Sequence, residues 1–148
     1  MLAPTYKRLV GVSACLLGQR VRWDGEHKRA DWLDEVPAEI ELVPVCPEVE
    51  AGLGVPREPI HWVGERLVGR ETGLDQTDRL REFATERLAQ LPKLSGYILK
   101  KKSPSCGLGG IEQRAGLFAA ALRARFPGLP TVEEDGVNAG FWQRVRIF

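Results

Sequence analysis

The chain has 148 residues, of which 43% are hydrophobic and 28% charged, and its net charge is +1. That length is typical of one domain with a core of its own, so residues 1–148 are expected to form a single domain, and the composition excludes disordered, collagen-like and coiled-coil chains. A charge this close to zero supplies no broad field for nucleic acid or anionic lipid, which leaves a small molecule as the expected partner.

In chain order, Leu9-Val10-Gly11-Val12-Ser13-Ala14 is an apolar run of strand length. Leu16 to Lys28 then predicts a shaped loop with a turn at Asp24-Gly25. Asp31 to Ile40 is weakly helical and interrupted by Pro37, and Leu42-Val43-Pro44-Val45 is a second strand. Pro47 to Thr77 is rich in Gly and Pro and predicts an excursion outside the core, with a small hairpin over Val63 to Val68. Asp75 to Leu91 places Leu80, Phe83, Ala84, Leu88 and Leu91 at helical spacing, with Asp75, Thr77 and Asp78 as caps.

Gly96 to Lys101 is a third strand, followed by a Gly- and Pro-rich loop from Lys102 to Gly110. A second helix, roughly Ala115 to Phe126, sets Ala115, Phe118, Ala119, Leu122 and Phe126 on one face. Leu129 to Glu133 is a fourth strand, and Val137 to Phe148 docks as a short helix or strand. Strands alternating with helices predict a three-layer, Rossmann-like α/β fold. Its mainly parallel sheet carries helices on both faces and its site at the strand carboxyl ends.

The three cysteines, Cys15, Cys46 and Cys106, each stand just past a predicted strand, so this fold brings them to one edge. Two thiols there suit a disulfide and four a closed structural site; three suit a metal centre with one position free. An odd number of cysteines and no apparent signal peptide argue for reduced thiols in a cytoplasmic protein, and no stretch approaches membrane-spanning length. Read singly, each cysteine is as well explained as a small buried hydrophobe; their common position favours a site.

Glu48, two residues past Cys46, is a candidate proton donor or acceptor in a water-poor centre, with Glu50 as its competitor. Ser103 and Ser105 flank Pro104, where a hydroxyl either bonds substrate or satisfies turn backbone. Asp24, Ser105 and Lys101 are candidate substrate contacts. His27 and His61 lack ligand-like partners and read as surface or substrate-contacting residues, while Lys100, Lys101 and Lys102 read as a solvated strand exit. Gly107-Leu108-Gly109-Gly110 matches neither phosphate-binding fingerprint.

Val12-Ser13-Ala14-Cys15-Leu16-Leu17-Gly18, Val43-Pro44-Val45-Cys46-Pro47-Glu48 and Leu99-Lys100-Lys101-Lys102-Ser103-Pro104-Ser105-Cys106-Gly107 together resemble the DUF523 family in its short form, without the further carboxyl-terminal domain of some relatives. Arg22-Trp23-Asp24-Gly25 and Arg70-Glu71-Thr72-Gly73 fit the same pattern, whereas 109–116 is shorter than usual. The family includes thiouracil desulfidases. The resemblance implies a [4Fe-4S] cluster on Cys15, Cys46 and Cys106, functional roles for Glu48 and Ser103, and a thiolated nucleobase or nucleoside as substrate. Sulfur removal would be hydrolytic, without net electron transfer. Two other readings stay open on the residues: a zinc hydrolase on three thiolates, and a non-catalytic nucleotide-binding module with structural cysteines.

Overall fold

Alternation along the apolar runs decides which face of the sheet each side chain joins. The computed structural model describes residues 7–109 and 114–148. Its strands are β1 (Arg8–Ser13), β2 (Ile40–Val45), β3 (Ile60–Val63), β4 (Arg66–Gly69), β5 (Gly96–Leu99) and β6 (Thr131–Glu133). Its helices are α1 (Pro47–Glu50), α2 (Thr77–Gln90), α3 (Leu117–Arg125) and α4 (Ala139–Ile147). Four strands form one sheet in the order β2-β1-β5-β6, with every neighbouring pair parallel. Ser13 stands opposite Val45 and Leu99 opposite Glu133, so the carboxyl ends line up along one edge. Pro44, which has no N–H for the ladder, is tolerated because β2 is an edge strand.

On one face Val45, Tyr97 and Leu99 pack with Leu80, Ala84 and Leu88 of α2 and Phe118 and Leu122 of α3. On the other, Val10, Val12 and Ile98 pack with Phe141, Trp142 and Val145 of α4. Each of these large side chains removed from water contributes about 1.5–3 kcal/mol, which makes helices on both faces the stable solution. Gly11 is required by close approach: a Cβ there would collide with the ring of Tyr97. α4 is capped by Asn138, whose Oδ1 accepts from Phe141 N at 2.9 Å.

The structure corrects the sequence reading in three places. The excursion 47–77 contains a helical turn, α1, and an antiparallel hairpin of β3 and β4; although this hairpin lies outside the sheet, Ile60 and Leu67 enter the core beside α2. They are drawn in because Thr77, fully buried at the start of α2, accepts Leu67 N at 2.7 Å and locks β4 onto that helix. Of the three expected caps, Asp75 alone serves, accepting Thr77 N, the first N–H of α2, at 2.9 Å, whereas the Thr77 hydroxyl is spent on Leu67 and Asp78 pairs with Arg66. Phe126 is not on the buried face of α3: the helix ends at Arg125 and the backbone of Phe126 turns away. The shortened stretch 109–116 falls partly on residues 110–113, which lie outside the described residues.

Candidate active site

Three loops leave the aligned strand ends, each shaped by its own backbone. After β1 the chain makes a 3-10 turn, Ala14–Leu17, in which Cys15 O accepts from both Gly18 N (3.2 Å) and Lys28 N (2.9 Å). Gly18 closes the turn at φ +88°, a conformation that favours glycine. After β2, Pro47 opens α1, and Cys46 N donates to Glu50 Oε2 at 2.7 Å. Glu50 also accepts Arg87 Nε of α2 at 3.0 Å, so it faces away from the thiols, whereas Glu48 is buried among them. The choice between the two carboxylates is therefore made by the single turn of α1.

The third loop holds Cys106. Ser103 Oγ accepts Ser105 N (3.1 Å) and Cys106 N (3.0 Å), and Gly107 N returns to Ser103 O at 2.9 Å. The first N–H groups of α3, which no side chain caps, are met by this loop: Leu117 N donates to Pro104 O at 2.9 Å and Ala119 N to Ser105 O at 3.0 Å. Such an approach requires glycine at 116, where a Cβ would strike the Ser105–Cys106 peptide. Gly116→Ala is expected to cost about 1–3 kcal/mol through overpacking, read as a lowered denaturant midpoint at unchanged slope.

All three thiols line one cavity of about 570 Å³, together with Glu48, Ser13, Ser103 and Ser105. Burial pushes the Cys15 thiol up to about 11, with Lys100 opposing and Cys46 adding to the rise. Burial also raises Cys106, most strongly of the three, with the Ser13 hydroxyl opposing and the charges of Cys46 and Cys15 reinforcing it. Cys46 is raised by burial and lowered by the backbone at Val49 and by Arg57. The metal-free chain thus holds protonated thiols, and ligation of a metal centre releases protons. Among the described residues, no group of three or more His, Cys, Asp or Glu side chains is arranged to hold a single metal ion.

Glu48 is buried, as a water-poor centre implies, and it is ion-paired there. Its Oε1 accepts Arg57 Nε at 2.9 Å and its Oε2 accepts the Ser105 hydroxyl at 2.9 Å, with only 11% of its side chain exposed. Ser105 therefore faces Glu48, and the lone pairs of Ser103 are engaged by turn backbone. Lys100 is no solvated exit: its Nζ pairs with Glu134 Oε2 at 2.9 Å, and the two side chains are 17% and 16% exposed. Lys101 lines the cavity, with its ammonium on Asp135 at 3.2 Å. Asp24 is outside the lining; it closes its own turn by accepting Glu26 N at 3.0 Å and pairs with Arg22. His27 and His61 are also outside it.

Sequence reasoning missed Arg57, Ser13, Trp23, Arg70 and Glu134, all of which line the cavity. Ser13 and Glu134 end β1 and follow β6, so the rule that sites gather at strand carboxyl ends was enough to nominate them. Arg57, in a Gly- and Pro-rich stretch without periodicity, carries no local signal.

Fold and site together define an α/β protein whose parallel sheet gathers three thiols and an ion-paired carboxylate at one edge. Residues 10–134 match the 2-thiouracil desulfurase family, and the chain belongs to it. It is 32% identical over 150 residues to the uncharacterized protein YbbK of Bacillus subtilis (strain 168), covering 88% of this chain and 98% of that protein. The solved structure of the [4Fe-4S]-dependent thiouracil desulfidase TudS superposes with a TM-score of 0.77 at 38% identity, over 96% of this chain and all of that one.

Proposed function

We propose that the protein removes sulfur from a thiolated pyrimidine, as base or nucleoside, by hydrolysis: water replaces sulfur at the ring carbon, sulfide leaves, and no electrons are exchanged. The observation that carries this reading is the convergence of Cys15, Cys46 and Cys106 on one cavity beside Glu48, in a chain similar to a desulfidase described as [4Fe-4S]-dependent. The donor set fits such a cluster. Three soft thiols share the cavity, the number that leaves one iron of such a cluster without a protein ligand. Cys15, Cys46 and Cys106 would hold the cluster, which when bound supplies one iron free of protein ligands as a soft Lewis acid for a thiocarbonyl sulfur.

Glu48 does the proton work. Its Oε1 is occupied by Arg57, so Oε2, next to the Ser105 hydroxyl, is the oxygen that takes a proton from the attacking water or returns it to the ring. Trp23, 43% exposed at the cavity, offers an aromatic surface for the pyrimidine. Ser103 keeps its O–H free to donate while both lone pairs hold the Cys106 loop. Ser103→Ala strands two backbone N–H groups, at about 1–3 kcal/mol each, and is expected to shed iron during gel filtration; Ser103→Thr is expected to keep it. Full iron retention by Ser103→Ala removes that role.

The proposal is tested by anaerobic purification, iron and sulfide analysis, and assay of sulfide release from 2-thiouracil and 4-thiouracil compounds. Brown protein that releases sulfide is the expected result. A colourless, zinc-loaded, active protein overturns it. No helix among the described residues is long and apolar enough to cross a membrane.

A further inference from the structure

One guanidinium in the cavity wall joins three segments of the chain. Arg57 Nε donates to Glu48 Oε1 at 2.9 Å, and its Nη1 donates to Val21 O and to Gly54 O, both at 2.9 Å. Its backbone N–H donates to Trp23 O at 2.9 Å, and only 8% of its side chain is exposed. Val21 O also faces the Cys46 thiol, at 3.8 Å. Arg57 is therefore bonded to the loop that follows Cys15, to the helical turn that follows Cys46, and to its own excursion.

We propose that Arg57 is a positioning residue for the desulfuration: it occupies Oε1 of Glu48 and registers that carboxylate with the Val21–Trp23 loop, so that Oε2 is presented to Ser105 and the cavity. The inference rests on the proposed function and adds to it a residue that acts through Glu48. Its physical basis is the fork of the guanidinium, with Nε and Nη1 donating in fixed relative directions. A carboxylate and two carbonyls are held in one geometry, which the single point charge of lysine cannot reproduce. Ser105 alone would leave Glu48 one hydrogen bond and free rotation about its terminal bond. Misplacement of a reacting group by about 1 Å costs up to about 100-fold in rate, so the loss is expected in kcat.

The test is a double-mutant cycle on the anaerobically loaded protein. Arg57→Gln, Arg57→Lys and Glu48→Gln are made singly, and each Arg57 variant is combined with Glu48→Gln. Iron content, kcat and KM for sulfide release from 2-thiouracil or 4-thiouracil, whichever the wild type turns over, are measured for all. Arg57→Gln is expected to lower kcat by about 10–100-fold at wild-type iron content with KM within about 3-fold, and Arg57→Lys to recover only part of it. In the Glu48→Gln background either Arg57 substitution is expected to change kcat by less than about 2-fold, because the group being positioned is already disabled.

An equal fall in both backgrounds, a wild-type kcat in Arg57→Gln, or loss of iron in both Arg57 variants overturns the positioning role. Should Arg57→Gln not fold, the Arg57→Lys arm of the cycle decides by the same criteria. An inactive wild type overturns the proposed function and this inference together; an active wild type with additive losses overturns the inference alone.

Discussion

Glu48→Gln is expected to keep the iron content of the wild type and to release sulfide at least about 100-fold more slowly, the range over which positioned acid–base groups act. The substitution suits the site because glutamine has the same shape and its carbonyl can still accept from Arg57 Nε. What it lacks is a second oxygen able to take a proton beside Ser105. Removing the charge also leaves the Arg57 guanidinium buried without its anion, at a cost of about 3–5 kcal/mol when nothing replaces the pair. A lowered thermal midpoint should therefore accompany the lost activity. Because the two effects have different origins, kcat is read well below that midpoint; unchanged turnover there removes Glu48 from the mechanism.

The second large effect is expected at the thiols. Cys15→Ala, Cys46→Ala and Cys106→Ala should each abolish the brown colour and all sulfide release while the chain remains folded. Folding survives because an inert buried cysteine acts as a small hydrophobe, and its truncation costs about 1 kcal/mol. Cys106→Ala leaves its loop in place, since that loop is held through the Cys106 backbone by the Ser103 turn and through the start of α3 and not through the thiol. Far-UV circular dichroism confirms the fold and iron analysis reads the loss. Any single variant that keeps a full iron complement takes its thiol out of the ligand set, and variants that keep ligand binding without iron favour a non-catalytic module.

Much of this architecture was legible in the chain because its signals are local. Val10 and Val12 alternate with Leu9 and Gly11 at the two-residue period of a strand, and Leu80, Ala84 and Leu88 recur at the spacing of a helix. Each of the three cysteine motifs follows such a run, so a parallel sheet was enough to bring them to one edge. The hairpin was legible as a hairpin but not as part of the core, because its docking depends on Thr77 reaching back to Leu67. Phe126 was misplaced for the converse reason: a helical period extended one residue past the end of its helix.

The site divides along the same line. Residue type and order along the chain determined that three thiols, a carboxylate and two serines stand at strand exits, since these depend only on short-range pattern and on the direction of each crossover. Only the tertiary structure decided that Glu48 and not Glu50 turns inward, that Ser105 bonds the carboxylate while Ser103 builds the turn, and that Arg57 takes the other carboxylate oxygen. The physical reason is that an ion pair or a hydrogen bond in a buried site is set by distance and direction between segments far apart in sequence. Arg57 meets Val21 across 36 residues and Ser105 meets Glu48 across 57, and no periodicity in either segment records the partner.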